Sequence, residues 1–232
     1  MSTEQLFAVT KQLCTSVTAM HAMDIVHRDI KPHNVFLELP VGPDGEKVKT
    51  GYPRVAVADF NTAYKKGDHF SQSSAFDPAI ATAQFASPVY FRFIMEVSAQ
   101  DELTMQLNEG QRREHFEVSK KNDHWGVATT LLSLGLGSMP PWQDGLTYKR
   151  GDNILKELIK ITTKEKVDQA IADVMTKLKT NASEHPQQTE QNELNKSFQA
   201  LEAFLKCSLD IDNSQDSDCF ARTCVDFKKT LC

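Results

Sequence analysis

No stretch of this sequence is both long and apolar. The greasiest window, Leu131 to Met139, is too short and too rich in glycine to cross a bilayer, and the amino end, Met1-Ser2-Thr3-Glu4-Gln5, has neither the basic flank nor the apolar stretch of an export signal. A membrane partner is therefore not expected. Basic runs are missing too: 26 Lys and Arg stand against 31 Asp and Glu, a formal charge of −5, which argues against nucleic acid as a partner. Cysteine is sparse, with Cys14, Cys207, Cys219, Cys224 and Cys232 odd in number, scattered, and without CxxC spacing. The expectation is a reduced chain in the cytoplasm or nucleus, in which Asn181-Ala182-Ser183 is a polar loop rather than a glycosylation site. What remains is a chain of 232 residues, enough for one domain with a real core.

The residues that speak of chemistry cluster at His27-Arg28-Asp29-Ile30-Lys31-Pro32-His33-Asn34. This stretch resembles the catalytic loop of eukaryotic protein kinases, His-Arg-Asp, four residues, Asn. Three more segments follow in the family's order. Asp59-Phe60-Asn61, after the strand-like Arg54 to Ala58, is similar to Asp-Phe-Gly; Ser87-Pro88-Val89-Tyr90 resembles the substrate-facing Thr/Ser-Pro-x-Tyr; and Asp123-His124-Trp125 is similar to the Asp-x-Trp that anchors the catalytic loop. Pro140-Pro141-Trp142 resembles the turn after that helix.

The resemblance implies a serine/threonine protein kinase using ATP and Mg2+ on a protein substrate. Phosphoryl transfer needs orientation of a hydroxyl and neutralisation of phosphate charge more than covalent chemistry. Asp29 is then the base, Lys31 contacts the transferred phosphate, Ser87 supports both, and Asn34 and Asp59 hold the metal. Lys31 favours serine and threonine over tyrosine. Arg28 is placed to grip a phosphate on the activation segment, residues 59–95, because guanidinium matches phosphate oxygens in a fork; among its hydroxyls Thr82 is the preferred site. The implied fold is mainly α with a short β-hairpin, a protein-kinase-like C-terminal lobe over residues 1–232.

The periodicities fit such a lobe. Leu6, Val9, Leu13, Val17 and Met20 form one helical stripe over residues 3–22, with Ser2 and Gln5 as its capping box. His21 is read as structural, at that helix's end. Val35-Phe36-Leu37 and Val55-Ala56-Val57 read as paired strands around an insertion at 39–53, whose Pro40 to Gly45 are turn formers; a loop absorbs such an insertion cheaply. Residues 98–122 read as a second, charged insertion, after which Asp123 caps a buried helix ending at Gly135 to Gly137. Further amphipathic patterns lie at Ile154 to Ile159, Val167 to Leu178 and Phe198 to Leu209, with a polar linker at 180–195 and a closing helix through Phe220, Cys224, Phe227 and Leu231.

Three features depart from the family. Only 26 residues precede His27, and neither GxGxxG nor Val-Ala-x-Lys occurs, so the small lobe with its clamp on the phosphates is expected to be missing. Asn61 replaces a glycine; asparagine is the next most tolerant of positive φ. The Ala-Pro-Glu positions fall on Arg92, Phe93 and Ile94, and Asp216 stands where the family's matching Arg would be. Loss at both ends is coherent, since either partner alone would be an uncompensated charge. A second reading therefore stays open: a pseudokinase-like, non-catalytic module that binds a protein, with a regulatory or small-lobe-supplying partner. An aminoglycoside-type phosphotransferase shares His-x-Asp-x-x-x-x-Asn but not Lys31, Ser-Pro-x-Tyr or Asp-x-Trp.

Overall fold

The computed structural model describes residues 1–48, 51–66, 83–100, 108–140, 142, 159–182, 188–212 and 218–230. Helix α1, Thr3–Ala22, starts as its sequence demands: the Ser2 hydroxyl accepts from the Gln5 N–H while the Gln5 side chain accepts from the Ser2 N–H. Its stripe of Leu6, Val9, Leu13, Val17 and Met20 is buried. A turn through Asp24, at φ 57°, leads into β1, Ile25–Val26. The catalytic-loop residues follow, then β2, Val35–Glu38, which pairs antiparallel with β3, Arg54–Val57, in the register Val35 to Val57. β4, Tyr64–Lys65, returns to pair with β1. These short pairs sit beside a helical body, so the protein is mainly α with a small antiparallel hairpin, in the manner of the helical lobe of a protein kinase.

After α2, Pro88–Gln100, the long helix α3, Glu109–Leu136, runs through the centre of the molecule. It packs against α1, α2, α4 (Lys164–Ala182) and α5 (Gln188–Ser208), and α5 packs in turn against α6, Cys219–Thr230. Trp125, Leu131 and Leu132 of α3 join Leu13 and Val17 of α1, Ile171 and Val174 of α4, and Leu201 and Phe204 of α5 in one core. Trp142 lies against Trp125 with ring centroids 5.9 Å apart. Burying side chains of this size contributes about 1.5–3 kcal/mol each, so the core supplies a rigid floor for the loops above.

Four expectations need correction. Asp123 is not the cap of α3. The helix begins 14 residues earlier, capped by Asn108 and Gln111 in a capping box, and ends where Gly137 adopts φ 75°. The first half hides its periodicity: Phe116 and Ser119 are buried, yet six charged residues between Arg112 and Lys121 surround them. The segment expected as a linker at 180–195 is helical wherever it is described: residues 180–182 close α4, so Asn181-Ala182 is not a loop, residues 188–195 open α5, and residues 183–187 lie outside the described residues. Asn61 has no positive φ; the left-handed position is Asp59, at φ 66°, and Asn61 lies inside the helical turn Phe60–Thr62. Finally, Cys207 and Cys219 form a disulfide, with Cα atoms 6.1 Å apart. Their spacing along the chain gives no hint of it, because the pair is made by the end of α5 meeting the start of α6. Cys14 and Cys224 are free thiols buried in the core, Cys224 on the closing helix whose pattern included it. The pattern at Ile154 to Leu158 lies outside the described residues, as does Asp216.

Candidate active site

Asp123, in the middle of α3 and fully buried, builds the site from below. Its Oδ1 accepts from the Arg28 N–H at 2.7 Å, and its Oδ2 accepts from the His27 N–H at 2.9 Å and faces Nε2 of His21 at the same distance. Next to it, the Asn122 side chain donates to the Arg28 carbonyl at 3.0 Å and accepts from the Ser87 N–H at 2.8 Å. These bonds hold Arg28 at φ 70°, a left-handed conformation that a non-glycine residue keeps only when its surroundings over-determine it. The Thr62 hydroxyl adds a bond to the His27 carbonyl at 2.7 Å.

α3 comes this close because Gly126 has no side chain. A Cβ there would lie 2.5 Å from the Ile30 carbonyl oxygen and 2.9 Å from Ile30 Cβ. Gly126→Ala is therefore expected to destabilise the protein by about 1–3 kcal/mol, although alanine is the better helix former by about 1 kcal/mol. Gly110, in the exposed first turn of the same helix, is the control: a Cβ there meets only Asn108 Oδ1 at 3.3 Å. Urea unfolding of the two variants tests the contrast; equal midpoints would refute the role given to Gly126.

Above this floor the chemistry-bearing side chains converge. Lys31 Nζ lies 2.7 Å from Asp29 Oδ2, and Asn34 Nδ2 donates to the same oxygen at 3.2 Å and to the Asp29 carbonyl at 2.9 Å. The carboxylate plane of Asp29 is thereby fixed by two residues of its own loop. The 3₁₀ turn at Pro32–Asn34, opened by a proline whose missing N–H costs nothing there, makes the reach possible. Opposite, the Ala58 N–H donates to the Asn34 carbonyl at 2.9 Å, and His27 Nε2 meets the Ala58 carbonyl at 3.1 Å. Asp59 follows directly, its side chain exposed and its backbone left-handed. Asp29, Lys31 and Asn34 thus form one cluster, and the backbone bond from Ala58 to Asn34 brings the chain at Asp59 alongside it.

The donor set suits a hard cation. Asn34 commits its amide nitrogen to Asp29, which turns its amide oxygen into the group available as a ligand, and Asp59 offers carboxylate oxygens. Magnesium takes one or two such protein oxygens and completes its shell with phosphate and water.

Ser87 is placed differently from the other sequence-derived residues. Its hydroxyl accepts from the Tyr90 N–H at 3.0 Å and so caps α2, and its link to the loop runs through Asn122 to the Arg28 carbonyl. Thr82, Ser71, Ser73 and Ser74 lie outside the described residues. Arg28 itself is buried, donates Nε–H to the Thr62 carbonyl, and sets its guanidinium 5.1 Å over the Tyr64 ring.

Behind Arg28 lies His115, stacked with Tyr64 at 5.4 Å and Phe93 at 5.8 Å. Burial, aided by the Arg28 charge, pulls its pKa down to about 3. The unfolded chain protonates this histidine near 6.5 while the folded one does not, so stability present above 6.5 falls as pH drops toward 3. Removing the titration with His115→Gln is expected to lessen the acid loss by about 1.4 kcal/mol per pH unit across that window. Urea midpoints at pH 7 and 5 measure it; an unchanged difference between the two pH values would contradict it.

Asn122 and Gly126 were not found from the sequence. An amide and a glycine beside an Asp-x-Trp carry no pattern of their own; their meaning comes from the loop lying 94 positions upstream of Asn122 at Arg28.

Comparison of the sequence with known proteins identifies the family. Residues 1–229 match the model of the protein kinase domain, and the chain belongs to that family. Members of the family use ATP and a divalent metal. The chain is 28% identical over 154 residues to the sensor for unfolded proteins in the ER ire1 of Schizosaccharomyces pombe, covering 65% of this chain and 13% of that protein. It is 28% identical over 137 residues to the serine/threonine-protein kinase ATG1 of Mycosarcoma maydis, 57% of this chain and 11% of that one. With the serine/threonine-protein kinase PKH3 of Eremothecium gossypii the identity is 36% over 80 residues, 33% and 9% of the two chains. The matched part is thus a small fraction of each relative's length.

Proposed function

We propose that the chain transfers the terminal phosphoryl group of ATP to serine or threonine hydroxyls of protein substrates. The observation that carries this reading is the clasp of Asp29 by Lys31 and Asn34, with residue 58 bound to Asn34 and Asp59 next in line. Magnesium-bound ATP supplies the phosphoryl group and a charge shield for its oxygens. Asp29 orients the acceptor hydroxyl and takes its proton. Lys31, already 2.7 Å from Asp29, offers its ammonium to the phosphoryl oxygens as charge builds on them. Asn34 and Asp59 hold the metal, and Ser87 supports the loop by capping α2 and engaging Asn122. A location in the cytoplasm or nucleus rests on the supply of ATP there and not on reduced cysteines, since Cys207 and Cys219 are paired.

Arg28 gives the same reading a means of regulation. Its Nη1 is buried without a hydrogen-bond partner among the described residues, a guanidinium donor suited to a phosphate on the activation segment, with Thr82 the proposed residue.

The test is calorimetric titration with ATP and Mg2+ followed by phosphorylation of a mixed Ser/Thr peptide pool. Binding and transfer are expected; no binding at millimolar ATP removes the enzymatic reading for this chain. A second reading, a non-catalytic protein-binding module, is favoured by one observation: Phe36 on β2 and Phe60 after Asp59 are 60% and 50% exposed beside the site. Apolar rings so placed suit a covering partner protein, regulatory or supplying the small lobe, and binding of ATP without transfer would select that reading.

A further inference from the structure

The Asp123 carboxylate that holds the loop is itself held, and by a chain of contacts that leads to α6. His21 Nε2 is 2.9 Å from Asp123 Oδ2, and on the other side of the same ring His21 Nδ1 is 3.3 Å from Nε2 of His124. The His124 ring lies flat on Phe220 of α6, centroids 3.7 Å apart and planes 3° from parallel. Phe220 adjoins Cys219, which the disulfide ties to Cys207 at the end of α5.

We propose that His124 is a positioning residue for the catalytic loop. Its Nε2–H donates to Nδ1 of His21, fixes His21 as the Nε2–H tautomer, and thereby secures the Asp123 carboxylate in the orientation that binds the His27 and Arg28 amides.

The chemistry permits one order of donors along this chain when both rings are neutral. A neutral imidazole carries one N–H and one lone pair. With the His21 proton on Nδ1, bare Nε2 would face a carboxylate oxygen at 2.9 Å, lone pair against lone pair. The proton therefore belongs on Nε2, and Nδ1 must accept, which requires His124 to donate. Burial of the ring, with the charges of Lys120 and Lys121 nearby, holds His124 well below the ordinary histidine range and keeps it neutral. Stacking on Phe220 sets the plane of the ring and so aims Nε2. A metal-bound histidine has its tautomer set by the hydrogen bond of its other nitrogen; here a second histidine performs that office, and its own orientation is set by a helix at the far end of the chain.

The consequence for phosphotransfer rests on the function proposed above, whereas the tautomer and the amide protection do not, so the measurements are chosen among the latter. Nitrogen-15 spectra of the 232-residue chain at pH 8 report the protonation of each ring nitrogen. His21 is expected with hydrogen on Nε2 alone; hydrogen on Nδ1, or on both nitrogens, overturns the proposal without any variant. His124→Phe keeps the stack on Phe220 and removes the donor. It is expected to mix the His21 tautomers and to speed hydrogen exchange at the His27 and Arg28 amides about five- to tenfold, the scale of one lost hydrogen bond. His124→Gln returns an N–H at the position of Nε2 and is expected to restore protection. A merely structural role predicts the reverse ranking, because Gln loses the stack that Phe retains; Gln exchanging as fast as Phe, or faster, overturns the proposal.

Discussion

Asp123→Ala is expected to lower the stability of the protein by about 3–5 kcal/mol, the range found when one partner of a buried polar cluster is removed. The carboxylate is fully buried and satisfies the His27 and Arg28 N–H groups and the His21 ring. Alanine leaves these donors in a cavity too dry to replace it, and each unsatisfied donor costs about 1–3 kcal/mol. Arg28 also loses the bonds that keep it at φ 70°. Urea unfolding of the variant gives the stability, and hydrogen exchange at His27 and Arg28 shows whether the loss is centred on the loop. A fall of less than about 1 kcal/mol, within the range of an ordinary single hydrogen bond, would mean that the loop is held chiefly by something else.

The second large effect concerns the reaction. Asp29→Asn keeps the shape of the side chain, so the protein is expected to fold and to bind ATP with magnesium through Asn34 and Asp59. What it removes is the base of the proposed reaction. Transfer to a peptide hydroxyl should then fall by about 10²–10⁴-fold, the usual contribution of a positioned general base. Single-turnover phosphorylation with saturating ATP isolates this step from binding. Transfer within about threefold of the unaltered protein, well under the contribution expected of such a base, would remove Asp29 from the role of base while leaving the fold assignment intact.

The parts of the site visible in the sequence are those set by short spacing. Asp29, Lys31 and Asn34 lie within one loop, and the 3₁₀ turn between Lys31 and Val35 follows from proline at its opening. The capping box of α1 is likewise local, Ser2 to Gln5. The beginning of α3 was not visible, because a half-buried helix dense in charged side chains lacks an apolar stripe wide enough to stand out, and the capping box of Asn108 and Gln111 stands before a charged run. The glycine position after Phe60 was misplaced for a different reason. Positive φ belongs to a backbone path set by hydrogen bonds, here those of Ala58 to Asn34 and His27, and these put it on Asp59.

Arg92 shows the same limit. In sequence it marks only the absence of a familiar Ala, whereas in the structure its guanidinium donates to the Ile211 carbonyl at 3.1 Å and ties α2 to the stretch following α5. A contact of 119 positions is made by folding and leaves no trace in spacing.

By itself, then, the sequence determined the family, the helices with strong periodicity, the hairpin and the identity of the loop residues, since each depends on side chains a few positions apart along one element. Only the tertiary structure decided which groups meet the loop, Asp123, Asn122 and the space left by Gly126, and it alone brought His21 to His124 and Cys207 to Cys219. Those depend on the distance between elements, and that distance is fixed by how the core packs.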